Sequence, residues 1–164
     1  MKKFAAIFLG VVLAFGAAAQ TRTYSDNESR TFIIGLESYF YGVSGMLEVN
    51  GCNVALQDGV VSVGDTVLEE GAADTVIGAH DFTGNRVPEL VVARRSAGAV
   101  SVTVYAFSGG SWAVVGRAGS PDAGEIRVFR QVISLRRGDA LLSWTWHGSK
   151  FDFKSSDGSP EPVL

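Results

Sequence analysis

Between Asp81 and Glu89 the chain sets oxygen-bearing side chains at loop positions one, three, five and nine: Asp81, Thr83, Asn85 and Glu89. That spacing suits a hard cation. Ca²⁺ takes roughly six to eight oxygen ligands, alternate residues of a tight turn point inward, and a backbone carbonyl from position seven, here Val87, adds another. Asp81, Thr83, Asn85, Val87 and Glu89 are therefore the candidate ligands of a weak Ca²⁺ site, second to a metal-free turn. The same oxygens could instead cap backbone N–H groups in a metal-free Asx-type turn. In that case the Arg86 guanidinium folds over Asp81 and Glu89 and supplies the positive charge. A third chemistry is acid/base work by the Asp81–Glu89 pair, as a carbohydrate-active or hydrolytic enzyme would need.

A second chemistry-bearing pair is Trp144 and Trp146, two residues apart on one face of a predicted strand that Leu142 shares. Exposed, the two indoles would stack on the faces of sugar rings. Buried, they fill the core, as a period-two apolar face does. Cys52 is the one cysteine, so no internal disulfide forms, and its apolar surroundings predict a small buried hydrophobe. His80 and His147 are too few for a multi-histidine metal centre and are expected at the surface or in turns. There is no Gly-x-Ser-x-Gly elbow, no Walker loop and no Gly-x-Gly-x-x-Gly after a strand. No catalytic residue is assigned.

The segment Asp81-Phe82-Thr83-Gly84-Asn85-Arg86-Val87-Pro88-Glu89-Leu90, with the strand Val100–Phe107 after it, resembles the FG-GAP or VCBS-type repeat. In that family a D-x-D-G-D-G-x-x-D/E-L loop precedes a strand of a β-propeller blade. Asp81 stands at the first acidic position, Asn85 at the third oxygen ligand and Glu89 at the closing carboxylate. Thr83 replaces the middle Asp and Arg86 the second Gly, where a side chain costs about 1 kcal/mol if the loop keeps φ > 0. The resemblance spans about residues 78–116 and implies blade-like hairpins in a non-catalytic interaction module.

These residues need a scaffold, and the punctuation of the chain is that of short strands. Asn50-Gly51 and Asp58-Gly59 are two-residue hairpin signals, and Ser108-Gly109-Gly110-Ser111 turns one long alternating run back on itself. Strands are predicted at Met46–Val49, Val54–Leu56, Val60–Val63, Thr66–Leu68, Thr75–Ala79 and Glu89–Arg94. Further strands follow at Val100–Phe107, Trp112–Gly116, Glu125–Leu135, Ala140–His147 and Lys150–Lys154. One short N-terminal helix is predicted from a cap at Ser25 or Asp26, through Phe32, Ile33, Leu36 and Phe40, to Gly42. The fold class is mainly β: a compact antiparallel sheet or sandwich with blade-like hairpins. No blade-length period is visible.

Hydrophobic residues make up 46% of the 164, charged residues 19%, and there are 20 Gly, which excludes a disordered chain, a coiled coil and a disulfide-stapled mini-protein. Lys2-Lys3, the apolar run Phe4–Phe15 and Ala17-Ala18-Ala19 form a signal peptide of bacterial style. The domain organisation is therefore a signal peptide over residues 1–19, a single β-rich domain over 20–154 and a flexible tail over 155–164. The mature protein is expected in the periplasm or secreted, off the membrane, with an unidentified protein or glycan as partner. Residues 20–89 hold 11 acidic and 3 basic side chains, whereas residues 90–164 hold 6 and 9. The bases are dispersed rather than clustered, which argues against nucleic acid.

Overall fold

Turn chemistry sets the architecture. Asn50 and Gly51 have φ of 52° and 73°, and Asp58 and Gly59 have 49° and 83°. These left-handed pairs match the twist of adjoining strands and close tight hairpins. The computed structural model describes residues 32–71, 74–122 and 124–164. The expected signal peptide, residues 1–19, and the helix cap expected at Ser25 or Asp26 lie outside them.

Two short strands, β1 (Ile33–Ile34) and β2 (Ser38–Tyr41), lead into a four-stranded meander. This comprises β3 (Ser44–Val49), β4 (Cys52–Gln57), β5 (Val60–Val63) and β6 (Thr66–Glu69). The second meander is β7 (Asp74–His80), β8 (Glu89–Ser96), β9 (Ala99–Ser108) and β10 (Ser111–Ser120). The third is β11 (Ile126–Phe129), β12 (Val132–Arg137), β13 (Ala140–Trp146) and β14 (Phe151–Ser155). Each meander is the body of one sheet: β3-β4-β5-β6, then β10-β9-β8-β7-β2, then β1-β11-β12-β13-β14. All pairings are antiparallel except β1 with β11. The mainly-β sandwich expected from the sequence is what forms, with three layers.

The β7–β10 sheet is the middle layer. One face contributes Val76, Val91, Ala93, Val102 and Val104 to a core shared with Ile126, Ile133, Leu142 and Trp144 of the third meander. The other contributes Ile77, Leu90, Val92 and Tyr105 to a core shared with Leu47, Val54, Leu56 and Val61 of the first. A sheet covered on both faces reads as continuous apolar sequence, and Val76–Ala79 and Leu90–Ala93 do so.

Three expectations are corrected. No helix occurs among the described residues. Gly35 has a φ of 93°, and a Cβ there would run into the Val128 carbonyl, so the chain breaks where the helix needed its middle. Residues 32–41 fall into two strands instead. The single strand predicted over Glu125–Leu135 is a hairpin, because Arg130 turns the chain at φ 52° without any glycine to signal it. The C-terminal segment, expected to be a loose tail, lies against the domain. Ser156 and Leu141 exchange two hydrogen bonds, Arg137 donates to Ser159, and the Trp144 indole donates to Glu161 at 2.7 Å. No helix is long and apolar enough to cross a membrane among the described residues.

Candidate functional site

Antiparallel pairing of β7 with β8 puts His80 directly opposite Glu89, and the loop between them carries Asp81. This loop has to turn the chain without a hairpin ladder, so its N–H groups need acceptors. Asp81 provides them. Its Oδ1 accepts from Thr83 Oγ1 at 3.0 Å, Gly84 N at 2.7 Å and Asn85 N at 3.2 Å, and its Oδ2 accepts from Arg86 N at 2.7 Å. Asn85 Oδ1 accepts from Val87 N at 2.7 Å, and Glu89 Oε2 from Phe82 N at 2.9 Å. Asp81, Asn85 and Glu89 are thus acceptors for this chain's own donors, and the Thr83 hydroxyl is one of those donors.

Burial acts to raise the Asp81 carboxyl, but the hydrogen bonds from Arg86, Thr83, Gly84 and Asn85 outweigh it and hold the group below its ordinary range. Glu89 goes the other way. It is buried, and desolvation pushes its carboxyl up against the Phe82 hydrogen bond, with the charges of Asp81 and Glu37 adding to the push. Two neighbouring carboxyls are therefore driven apart by their surroundings.

Arg86 does not play the part that the sequence suggested. It sits at φ 69°, in the region where a side chain is strained, and its backbone N–H meets Asp81. Its exposed guanidinium makes no ion pair among the described residues. The positive end that balances Asp81 is a ring of backbone dipoles. A cation in the loop would have to draw the Asp81 oxygens away from those donors.

His80, expected at the surface, is buried. Its Nε2 lies 2.7 Å from the Arg130 carbonyl, while Nδ1 faces Glu37 Oε1 at 3.7 Å with no hydrogen-bond partner among the described residues. The ring packs edge-on against Phe82, which in turn packs against Phe151. Sequence spacing could not place Glu37 here, because it comes from the β1–β2 link forty-four residues before Asp81, whose N–H it accepts at 3.1 Å. His147 is an exposed turn residue as expected, and Cys52 is only half-buried rather than enclosed.

Trp144 is 1% exposed and Trp146 7%, and both belong to the core between the second and third meanders. The pair is therefore packing, and the exposed sugar platform is not formed by these indoles. Phe153 and Phe151 pack on them at ring distances of 5.3 and 5.1 Å.

An open groove of about 600 Å³ lies at the opposite end of the same strands, where Asp74 begins β7 and Arg95 and Ser96 end β8. Tyr41, Asp58 and Gly59 complete its walls, and Asp74 is paired with Arg95 at 3.1 Å. The seven residues of β7 separate it from the Asp81 loop, roughly 20 Å at the rise of an extended chain. No family model, curated protein or solved structure matches this chain.

Proposed function

We propose that the protein is an exported, non-catalytic binding or structural module whose FG-GAP/VCBS-like loop is a rigid connector rather than a reaction centre. The observation that carries this reading is the state of Asp81. Both of its oxygens are engaged by the hydroxyl and N–H groups of its own loop, and the groove lies at the far end of the strands. A catalytic carboxylate needs an oxygen free to meet substrate in a concavity. Export rests on residues 1–19 and places the domain in the periplasm or outside the cell, where an unidentified protein or glycan is its partner. No cofactor is assigned to it, and Asp81, Thr83, Asn85, Val87 and Glu89 are at most a weak Ca²⁺ site filled only near millimolar concentration.

A hydrolytic or carbohydrate-active enzyme is the second reading, and one observation favours it: Asp81 is shifted down and Glu89 up, the split that separates an acid from a base. A panel of polysaccharide and ester substrates separates the two. No turnover is expected, whereas turnover abolished by Glu89→Gln would establish the enzyme. N-terminal sequencing of protein from its host should find Gln20 first; retained Met1 in the cytoplasm would overturn export.

A further inference from the structure

The two outer layers of the stack carry opposite charge. From Ser44 to Glu70 the chain has five carboxylates and neither Lys nor Arg. From Ile126 to Ser155 it has six cations and two carboxylates. Layering converts this difference along the chain into two poles, because the first meander covers one face of the middle sheet and the third covers the other. Some of the charge is internal: Glu69 is held by Arg94 on the first layer, and Arg127 by Glu125 and Lys150 by Asp152 on the third. Glu48 and Asp65 remain exposed on the first layer, as Arg136 and Lys154 do on the third.

Each outer face also exposes large apolar residues. On the first layer, register aligns Met46, Ala55, Ser62 and Val67 in one row across the four strands. Met46 is 51% exposed and Val67 55%. On the third layer Phe129 is 69% exposed with the Arg130 guanidinium 5.2 Å from its ring centroid, and Leu141 pairs with Arg136 toward the other end of the sheet, beyond the polar row Arg127, Ser134, Ser143 and Lys154. Exposed apolar residues on a face with an excess of one charge suit a partner surface with an excess of the other.

We infer that the outer face of the first meander docks on the outer face of the third meander of a second copy of this chain, head to tail. The occupant is a second copy because the complementary charge excess is present on this same molecule, on a face that no other described residues cover. A contact between two different patches is heterologous, so it propagates into a ring or a chain of copies rather than stopping at a self-complementary pair. The inference stands apart from the module reading and would hold for an enzyme equally.

The test is sedimentation velocity of the purified full chain from micromolar to high micromolar concentration. At about 20 mM NaCl the average mass should rise with concentration above the 17.3 kDa of one chain. At about 500 mM NaCl it should fall back. Glu48→Lys with Asp65→Lys, and separately Arg136→Glu with Lys154→Glu, should each weaken self-association at least tenfold while leaving the melting temperature unchanged. Mixing the two variants should restore it, because each then offers the face the other lacks. A monomer at every concentration in low salt overturns the inference. So does association that survives both high salt and both reversals, or variants that fail to complement while melting like wild type.

Discussion

The two faces of the middle sheet are packed by different chemistry. Toward the third meander the core is built from aromatic mass: Trp144, Trp146, Phe82 and the half-buried Phe151 and Phe153. Toward the first it is aliphatic, with Leu47, Val54, Leu56 and Val61, and it closes on a polar network. There Arg94 donates to Glu69 at 3.0 Å, to Thr75 at 3.0 Å and to the Gly59 carbonyl at 2.9 Å, while Tyr105 donates to Glu69 at 2.8 Å. The aromatic side holds by area and shape. The polar side holds its outer layer in register, since the hydrogen bonds of Arg94 reach acceptors on several different strands and turns.

That contrast can be broken from either side. Trp144→Ala should cost about 3–5 kcal/mol, the usual loss for emptying a large aromatic site, read by denaturant unfolding. Loss of less than about 1 kcal/mol would mean that the aromatic layer does not carry the fold. Arg94→Met should cost about 3 kcal/mol, because Glu69 is left largely buried without its partner, whereas Arg94→Met with Glu69→Leu should recover much of it. Equal losses in the single and double variants would show the network to be idle.

Smaller effects sharpen the picture at the Asp81 loop, which lies where the layers meet. Asp81→Ala should cost about 0.5–2 kcal/mol, the range for removing a capping side chain, with or without chelator. Because Asp81 is shifted down, its contribution is present at neutral pH and fades as pH falls through its folded value. Asp81→Asn should therefore flatten the acid limb of the stability profile. Glu89 has the opposite sign: its raised value makes ionisation unfavourable to the fold, so Glu89→Gln should remove a gain seen as pH drops toward the carboxylate range. Arg86→Gly should stabilise by about 0.5–1 kcal/mol, since φ 69° suits glycine and the guanidinium makes no ion pair among the described residues. A loss there would show that the arginine side chain has a partner after all.

Much of this was readable in the residues. Asn50-Gly51, Asp58-Gly59 and Gly109-Gly110 all turn where their backbone freedom says they should. The three-layer repetition was not, because β9 and β10 are ten residues each while the strands of the first meander are four to six. Units that start at Ser44, Asp74 and Ile126 share a topology but no fixed period. Arg130 hid a turn because a left-handed arginine leaves no mark in composition. At the Asp81 loop the oxygens were legible and the source of balancing charge was not, since backbone dipoles are the same in every sequence and only their direction matters. His80 escaped because its burial depends on Glu37 and Arg130, both distant along the chain.

The parallel pairing of Ile33 with Ile126 has a consequence in time. Delivered N-terminus first, β1 becomes available about ninety residues before β11, and β2 well before β7. The first meander needs only its own hairpins and can close during that interval, but β1 must wait with Phe32 and Ile33 uncovered, although both end in the core. Closing so long a loop is slow compared with local hairpins. The last event in folding should therefore be the arrival of the earliest strand, and the interval before it is when this chain most needs a chaperone.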